Sequence, residues 1–107
     1  MQELHTREDW EKAVKQSDND PVLIIKHSTT CPISAAGYRE FQSFNTDTTK
    51  YCVIVQTSKE LSQQIAADTS VKHESPQALL LKNGKAVWHA SHYDIQQAAL
   101  EKAINSN

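Results

Sequence analysis

In the first part of the chain, a segment with apolar residues at helical spacing is followed by an unbroken apolar run. Between Thr6, a residue type that caps helices, and the turn at residues 19–21, apolar side chains recur at helical spacing and predict a helix. Residues 22–25 are all apolar, as expected for a strand that is covered on both faces. Residues 26–30 are polar and predict a loop, which ends at Cys31.

The same alternation continues after this loop. From Pro32 to about Asn45, apolar residues again recur at helical spacing, and residues 51–55 form a second apolar run rich in β-branched side chains. A strand, a helix and another strand make a βαβ unit, so these two strands are expected to run parallel. Thr57 and Glu60 have the spacing of a capping box and predict the start of a third helix.

The last third of the chain predicts a hairpin and a closing helix. Residues 78–81 and 86–88 are apolar and flank Asn83-Gly84, the strongest short sequence signal for a β-hairpin. An amphipathic helix is expected to begin near Asp94 or Ile95, with Asp94 as its candidate cap.

The predicted order is α-β-α-β-α-β-β-α, in a single domain that spans residues 1–107. A parallel pair of strands, a connecting helix, an antiparallel hairpin and a final helix describe the thioredoxin architecture. The predicted fold is therefore α/β and thioredoxin-like, with a central mixed four-stranded sheet flanked by helices.

Composition narrows the possible partners. The chain has 107 residues, of which 38% are hydrophobic and 22% charged, with a net charge of −2, as expected for a globular protein without a basic surface for nucleic acid. No apolar run approaches the roughly 18 residues of a membrane span, and the N-terminus does not resemble a secretory signal. We therefore expect a cytoplasmic protein that binds neither nucleic acid nor membrane.

The two cysteines differ in their surroundings. Cys31 lies where the loop ends and Pro32 begins a helix, so unpaired backbone N–H groups and the positive end of the helix dipole are expected to stabilise its thiolate. Lys26 and His27, just upstream, are candidates for additional positive potential. Cys52 lies within an apolar strand and is predicted to be a buried packing residue.

A second candidate feature is Pro76, directly before the third long strand. In a thioredoxin-like fold, a cis Ser75–Pro76 bond at this point would expose the backbone of Ser75 to an incoming chain. His73 lies close in sequence and is a candidate for lining the thiol site. The other histidines lack the spacing of zinc ligands and are expected to be solvated or hydrogen-bonded, so no metal site is predicted.

Three segments together resemble the monothiol bacilliredoxin family. They are Thr30-Cys31-Pro32-Ile33-Ser34, residues 73–77 and residues 88–95, and the similarity covers essentially the whole chain. This resemblance implies reduction of mixed disulfides between protein thiols and bacillithiol, the small cysteine-containing thiol that some bacteria use in place of glutathione. It also implies S-thiolated client proteins and a low-molecular-weight thiol as partners, with bacillithiol as co-substrate and no bound cofactor.

The resemblance also assigns roles to residues. It implies that Cys31 is the attacking thiol and that Pro76 is the cis proline facing it. By their positions in the sequence, the residues predicted to support the thiolate are Pro32, Ile33 and Ser34. The candidate substrate-binding residues are Thr30, His73, Ser75 and Pro76. Ser34 stands where dithiol relatives carry a resolving cysteine. A hydroxyl cannot attack a disulfide, so a second small thiol must regenerate Cys31. Two interpretations of Ser34 remain open: a hydrogen bond to the thiolate, or a neutral position on the helix surface.

Two other functions use the same fold. A monothiol at a helix N-terminus can ligate an iron–sulfur cluster between two subunits, although Pro32 and Ile33 replace the glycine and phenylalanine that monothiol glutaredoxins carry. Colour and visible absorbance after anaerobic purification identify that function. The third candidate is a non-catalytic module that binds an extended peptide at the Ser75–Pro76 edge, for which alkylation of Cys31 leaves binding unchanged.

Overall fold

The computed structural model describes residues 1–107 as five strands, four α-helices and one short 3-10 helix. The strands are β1 (Gln2–Glu3), β2 (Val22–His27), β3 (Thr49–Ile54), β4 (Gln77–Lys82) and β5 (Lys85–Ser91). The α-helices are α1 (Arg7–Gln16), α2 (Pro32–Ser43), α3 (Lys59–Thr69) and α4 (Gln97–Ser106), and the 3-10 helix spans His92–Asp94. None of the helices is both long and apolar enough to cross a membrane.

The strands form one mixed sheet in the order β1-β3-β2-β4-β5. β2 pairs with β3 in parallel and with β4 antiparallel, and β4 continues into β5 as an antiparallel hairpin. Both turn residues of the hairpin have positive φ, 53° at Asn83 and 74° at Gly84, which is the conformation that Asn-Gly favours in two-residue hairpins. The predicted thioredoxin-like fold, its parallel pair and its hairpin are confirmed.

The predicted strand count is wrong by one strand. β1 pairs in parallel with β3 at the edge of the sheet, but it contains only Gln2 and Glu3. Two polar residues are too few to show the alternation from which a strand is predicted.

The hydrophobic core has two layers, one on each face of the sheet. Side chains of β2 alternate between them, with Ile24 in the layer that also contains Trp10 of α1 and Ile65 of α3. Ile25 belongs to the other layer, with Phe41 of α2 and Leu100 of α4 among its members. α2 therefore packs on the same face as α4, and it carries the predicted nucleophile at its N-terminus.

Helix caps are only partly as predicted. Thr6 caps α1, and the carboxylate of Asp9 accepts the Thr6 backbone N–H in return at 3.1 Å. The predicted capping box of α3 is wrong, because Ser58 is the N-cap residue and the Thr57 hydroxyl donates back to Ile54 O at 3.4 Å.

Asp94 is also not the cap of the closing helix. It belongs to the 3-10 helix, and α4 begins three residues later at Gln97. The backbone N–H of Gln97 donates to Oε1 of Glu40 on α2 at 3.1 Å. A carboxylate from a neighbouring helix thus satisfies this helix N-terminus, and it is favourably placed against the positive end of the dipole.

Candidate active site

Cys31 is the N-cap residue of α2. Its backbone is extended, with φ −105° and ψ 122°, and Pro32 occupies the first position of the helix. The Cys31 carbonyl accepts the N–H of Ala35 at 3.0 Å, which begins the helical hydrogen-bond pattern. The residue is half-buried. Its side chain is therefore fixed at the helix start and is partly open to solvent.

Two backbone donors at this helix start have no partner within the protein. Pro32 has no N–H, and the N–H groups of Ile33 and Ser34 make no hydrogen bond. Free N–H groups at the first turn of a helix point outward along the axis and favour negative charge. The thiolate-supporting roles of residues 32–34 remain predictions, and this geometry is compatible with them.

Ser34 is neither exposed nor hydrogen-bonded to Cys31. Its side chain is fully buried, and its Oγ accepts the backbone N–H of Ser28 at 2.8 Å. The same Oγ lies 2.8 Å from Nδ1 of His27. Because burial lowers the pKa of His27 and so favours the neutral ring, the Ser34 hydroxyl can donate to Nδ1. The interpretation of Ser34 as a helix-surface residue is wrong.

His27 is the buried last residue of β2, not part of a loop. Its ring stacks on the ring of Tyr38, one helical turn beyond Ser34, with centroids 4.3 Å apart. One face of the Tyr38 ring is therefore covered by His27. This stack and the Ser34 contact join the end of β2 to the first turns of α2, and they fix the helix on which Cys31 lies.

Cys52 is buried, as predicted. Cys52 is 5% exposed and belongs to the core layer beneath α2. Burial raises the pKa of the Cys52 thiol to about 11, so at neutral pH this thiol is protonated and shielded from solvent. The two cysteines are both free, and only Cys31 is placed for nucleophilic attack.

The Ser75–Pro76 bond is cis, as predicted. Pro76 is buried and its carbonyl accepts the N–H of His92 at 3.0 Å. On α2, Gly37 approaches the proline ring so closely that a Cβ there would lie 3.2 Å from Pro76 Cγ. This close approach was not predicted. The relevant sequence signal is a lone glycine inside a helical pattern, which indicates a close approach.

A small groove adjoins Pro76. It has a volume of about 180 Å³ and lies between α2 and the 3-10 helix, lined by Ala36, Gly37, Glu40, His92, Tyr93, Ile95 and Gln96. Tyr93 is 67% exposed, more than any other large apolar side chain. The Oγ of Ser75, the residue before Pro76 in the chain, is buried and has no partner within the protein.

Lys26 and His73 lie on the opposite face of the sheet from His27. Lys26 is a fully buried residue of β2, which corrects the predicted loop, and its Nζ donates to Ser62 O on α3 at 3.1 Å. His73 Nδ1 is 3.2 Å from the same Nζ. Burial and the charge of Lys26 lower the pKa of His73. Its contact within the protein is thus with a buried lysine, and its role toward substrate remains a prediction.

Burial of Lys26 makes stability depend on pH. Burial lowers the pKa of Lys26 from 10.5 to about 8, and this difference corresponds to a cost on the order of 3 kcal/mol below pH 8. Between pH 8 and 10.5 the unfolded chain binds more protons than the folded protein, so this cost falls as pH rises. We expect Lys26→Met to be more stable than wild type at pH 7, and this advantage to shrink by about 2 kcal/mol at pH 10. Urea unfolding at both pH values measures the difference.

Lys12→Met is the control for that experiment. Lys12 is exposed on α1, and its substitution should leave the difference from wild type constant between the two pH values. A constant difference for Lys26→Met as well would show that Lys26 keeps its proton through this range in the folded protein.

The loop between β2 and Cys31 is held from two sides. From inside, Ser34 accepts the Ser28 N–H. From outside, the side chain of Gln56, which follows β3, makes hydrogen bonds with Ser28, Thr29 and Thr30. The Thr30 hydroxyl therefore has a partner within the protein, and its predicted role in binding substrate is untested. No sequence pattern indicated Gln56, because its partners lie 26 to 28 residues away along the chain.

A free cysteine that begins a helix on this fold is the arrangement expected of the class of thioredoxin-fold thiol oxidoreductases. Within that class, the family profile described as Monothiol bacilliredoxin BrxC matches residues 2–100. The chain belongs to this family, and the resemblance predicted from its three motifs is confirmed.

Solved structures agree with the fold. A thioredoxin-fold protein proposed to be an oxidoreductase is 42% identical, with a TM-score of 0.88, over 94% of this chain and 90% of that one. Thioredoxin from Malassezia sympodialis is 16% identical with a TM-score of 0.78, over 99% of this chain and 89% of its own. Thioredoxin from Schistosoma mansoni is 21% identical with a TM-score of 0.77, over 98% and 95%. The two thioredoxins show the fold alone.

Proposed function

We propose that this protein removes bacillithiol from S-bacillithiolated proteins by thiol–disulfide exchange at Cys31. The observation that carries the proposal is the arrangement of thiols. Cys31 is accessible at the start of α2, Ser34 stands one turn further on, and Cys52 is buried in the core. Membership of the bacilliredoxin family supports bacillithiol as the thiol that is removed.

The first step is attack of the Cys31 thiolate on the bacillithiol sulfur of a client's mixed disulfide. A new bond forms between Cys31 Sγ and this sulfur, and the client's sulfur leaves with the electron pair of the broken bond as a thiolate. The unpaired N–H groups of Ile33 and Ser34 can donate to negative charge at the start of α2 during this exchange. The client is released reduced, and the protein keeps bacillithiol.

The second step requires a thiol from outside. The Ser34 hydroxyl is already engaged with Ser28 and His27, and a hydroxyl does not displace a thiolate from a disulfide. A second low-molecular-weight thiolate therefore attacks the bacillithiol sulfur, forms a small disulfide with it and releases Cys31 as thiolate. This cycle suits the cytoplasm, where small thiols are kept reduced.

The groove beside Pro76 is the proposed place for the part of the client next to its disulfide. Gly37 leaves room for Pro76 against α2, and the exposed ring of Tyr93 offers an apolar surface at the edge of the groove. The proposed backbone contact of a client with Ser75 belongs to the same region.

The proposed function is tested by transfer of bacillithiol from a test protein that carries one mixed disulfide. We expect the wild-type protein, initially reduced, to acquire one bacillithiol at Cys31 while the test protein becomes free thiol, as measured by intact mass. The same test protein carrying glutathione is the control and should react more slowly. Equal rates for both thiols would contradict the assignment to bacillithiol, and no transfer of either would contradict thiol–disulfide exchange.

A further inference from the structure

Gln56 holds the segment that leads to the nucleophile. Its Nε2 donates to the Ser28 hydroxyl at 2.7 Å and to the Thr30 hydroxyl at 3.1 Å. Its Oε1 accepts the backbone N–H of Thr29 at 3.3 Å. Both N–H groups of the amide and its oxygen are thus used by three consecutive residues, and the next residue is Cys31.

The position of Gln56 is itself fixed by the sheet. Just before it, the Val55 N–H donates to His27 O at 3.0 Å and so extends the β2–β3 pairing by one residue. Just after it, the Ser58 N–H donates to Ile54 O at 2.9 Å and closes a tight turn. The amide is therefore presented to the loop by a turn that is joined to the end of β2.

Few other contacts hold the backbone of this loop. Ser34 accepts the Ser28 N–H at 2.8 Å, and the Cys31 N–H donates to Ser28 O at 3.4 Å. The backbone N–H of Thr29 has no other partner than Gln56, and Thr30 has none besides its hydroxyl contact. Removal of the Gln56 amide would leave residues 29 and 30 free to move directly before Cys31.

We propose that Gln56 is a positioning residue for Cys31. By fixing residues 28–30 it keeps the Cys31 side chain at the N-terminus of α2, next to the free N–H groups of Ile33 and Ser34. Thiolate stabilisation at a helix N-terminus decays within about one turn, so a mobile loop weakens it even if the helix is intact. The consequence for catalysis rests on the proposed function, whereas the reactivity of the thiol does not.

The test is the rate of Cys31 alkylation by iodoacetamide as a function of pH, followed by peptide mapping. For Gln56→Ala we expect alkylation at pH 7 to be about fivefold slower, with the pH–rate profile moved to higher pH. Gln56 is exposed, so the urea midpoint should change little. If Gln56 had a purely structural role, Gln56→Ala would change the urea midpoint, and its pH–rate profile would be the same as that of the wild-type protein.

Gln16→Ala is the matched control. Gln16 donates to the Thr49 hydroxyl at 3.0 Å and accepts from the Tyr51 hydroxyl, so it contacts the beginning of β3, whereas Gln56 follows its end. This variant loses a similar set of hydrogen bonds and should keep the wild-type alkylation profile. Equal slowing in both variants, or a wild-type profile for Gln56→Ala, would overturn the proposal.

A double-mutant cycle with Thr30→Val tests the contact directly. The single Thr30→Val variant removes one acceptor of the Gln56 amide and should slow alkylation, but it should add little to the effect of Gln56→Ala. Additive effects would contradict coupling through this hydrogen bond.

Bacillithiol transfer by the same variants separates this inference from the proposed function. If Gln56→Ala slows alkylation while the wild-type protein transfers no bacillithiol, the positioning role stands and the proposed function is overturned. If the wild-type protein transfers bacillithiol and Gln56→Ala does so at the same rate and with the same alkylation profile, the positioning role is overturned.

Discussion

Replacement of Cys31 by serine is expected to abolish bacillithiol release, whereas replacement of Cys52 by serine is expected to leave most of it. Only Cys31 is half-exposed at a helix start, and a hydroxyl in its place cannot form the mixed disulfide. Cys52 lies in the core, where burial raises its pKa to about 11. The measurement is the rate of bacillithiol release from a thiolated test protein, for which we expect at least about a thousandfold loss in Cys31→Ser, the scale for loss of a nucleophile.

The Cys52→Ser variant needs a stability control. It places a hydroxyl in an apolar layer beneath α2 and should lower the free energy of unfolding by about 1–2 kcal/mol. Its activity is therefore compared at a temperature where urea unfolding shows both variants to be folded. Equal loss of activity in folded Cys31→Ser and folded Cys52→Ser would indicate a mechanism that uses both cysteines.

The parts of the fold that could be predicted are those with a local signal. The unbroken apolar run at residues 22–25 and the Asn83-Gly84 turn act through near neighbours, and the structure confirms a buried β2 and a β4–β5 hairpin. The Thr6 cap has its partner, Asp9, three residues away. Each of these features is specified by residues close together in sequence.

Features that depend on distant partners could not be predicted. Lys26 resembles a loop residue because it is charged, yet it is buried in β2 by partners 36 and 47 residues away, Ser62 and His73. The helix α4 begins at a carboxylate from Glu40, 57 residues earlier. Sequence periodicity has no information about such pairs until the sheet topology brings them together.

The candidate site shows the same division. Cys31 and the cis Ser75–Pro76 bond could be predicted, the first from a cysteine before a proline-initiated helix and the second from the fold that the elements imply. The orientation of the Ser34 side chain could not be predicted. It depends on whether His27 and Ser28 supply hydrogen-bond partners for its hydroxyl. Gln56 was missed for the same reason.

The burial of Ser34 is the basis of the second large effect that we expect. Residues three apart on a helix lie close enough for a disulfide, because helix geometry puts their Cα atoms about 5 Å apart, within the range that a disulfide spans. In the wild-type protein, Ser34 offers only a hydroxyl in this place, and its Oγ accepts from Ser28 and contacts His27. A thiol accepts hydrogen bonds more weakly, so Ser34→Cys should cost about 1 kcal/mol of stability.

Ser43→Cys provides the matched control. Ser43 is the last residue of the same helix and is exposed. At 1.5 Å per residue it lies about 18 Å from the N-terminus of α2, so a thiol there cannot reach Cys31 within one molecule. This variant therefore introduces a thiol on the same helix, but too far from Cys31 to attack its disulfide.

Ser34→Cys is therefore expected to convert a protein that depends on external thiol into one that clears its own adduct. A thiolate at position 34 attacks Cys31 Sγ, expels bacillithiol and leaves an intramolecular disulfide for an external reductant. All three proteins are loaded with bacillithiol, freed of excess thiol, kept dilute and followed by intact mass. The adduct should persist in wild type and in Ser43→Cys and disappear in Ser34→Cys, with peptide mapping locating the new disulfide between positions 31 and 34. Spontaneous loss of the wild-type adduct, with formation of a Cys31–Cys52 disulfide, would contradict the monothiol mechanism, because it would mean that the core opens far enough for a buried thiol to act as the resolving group.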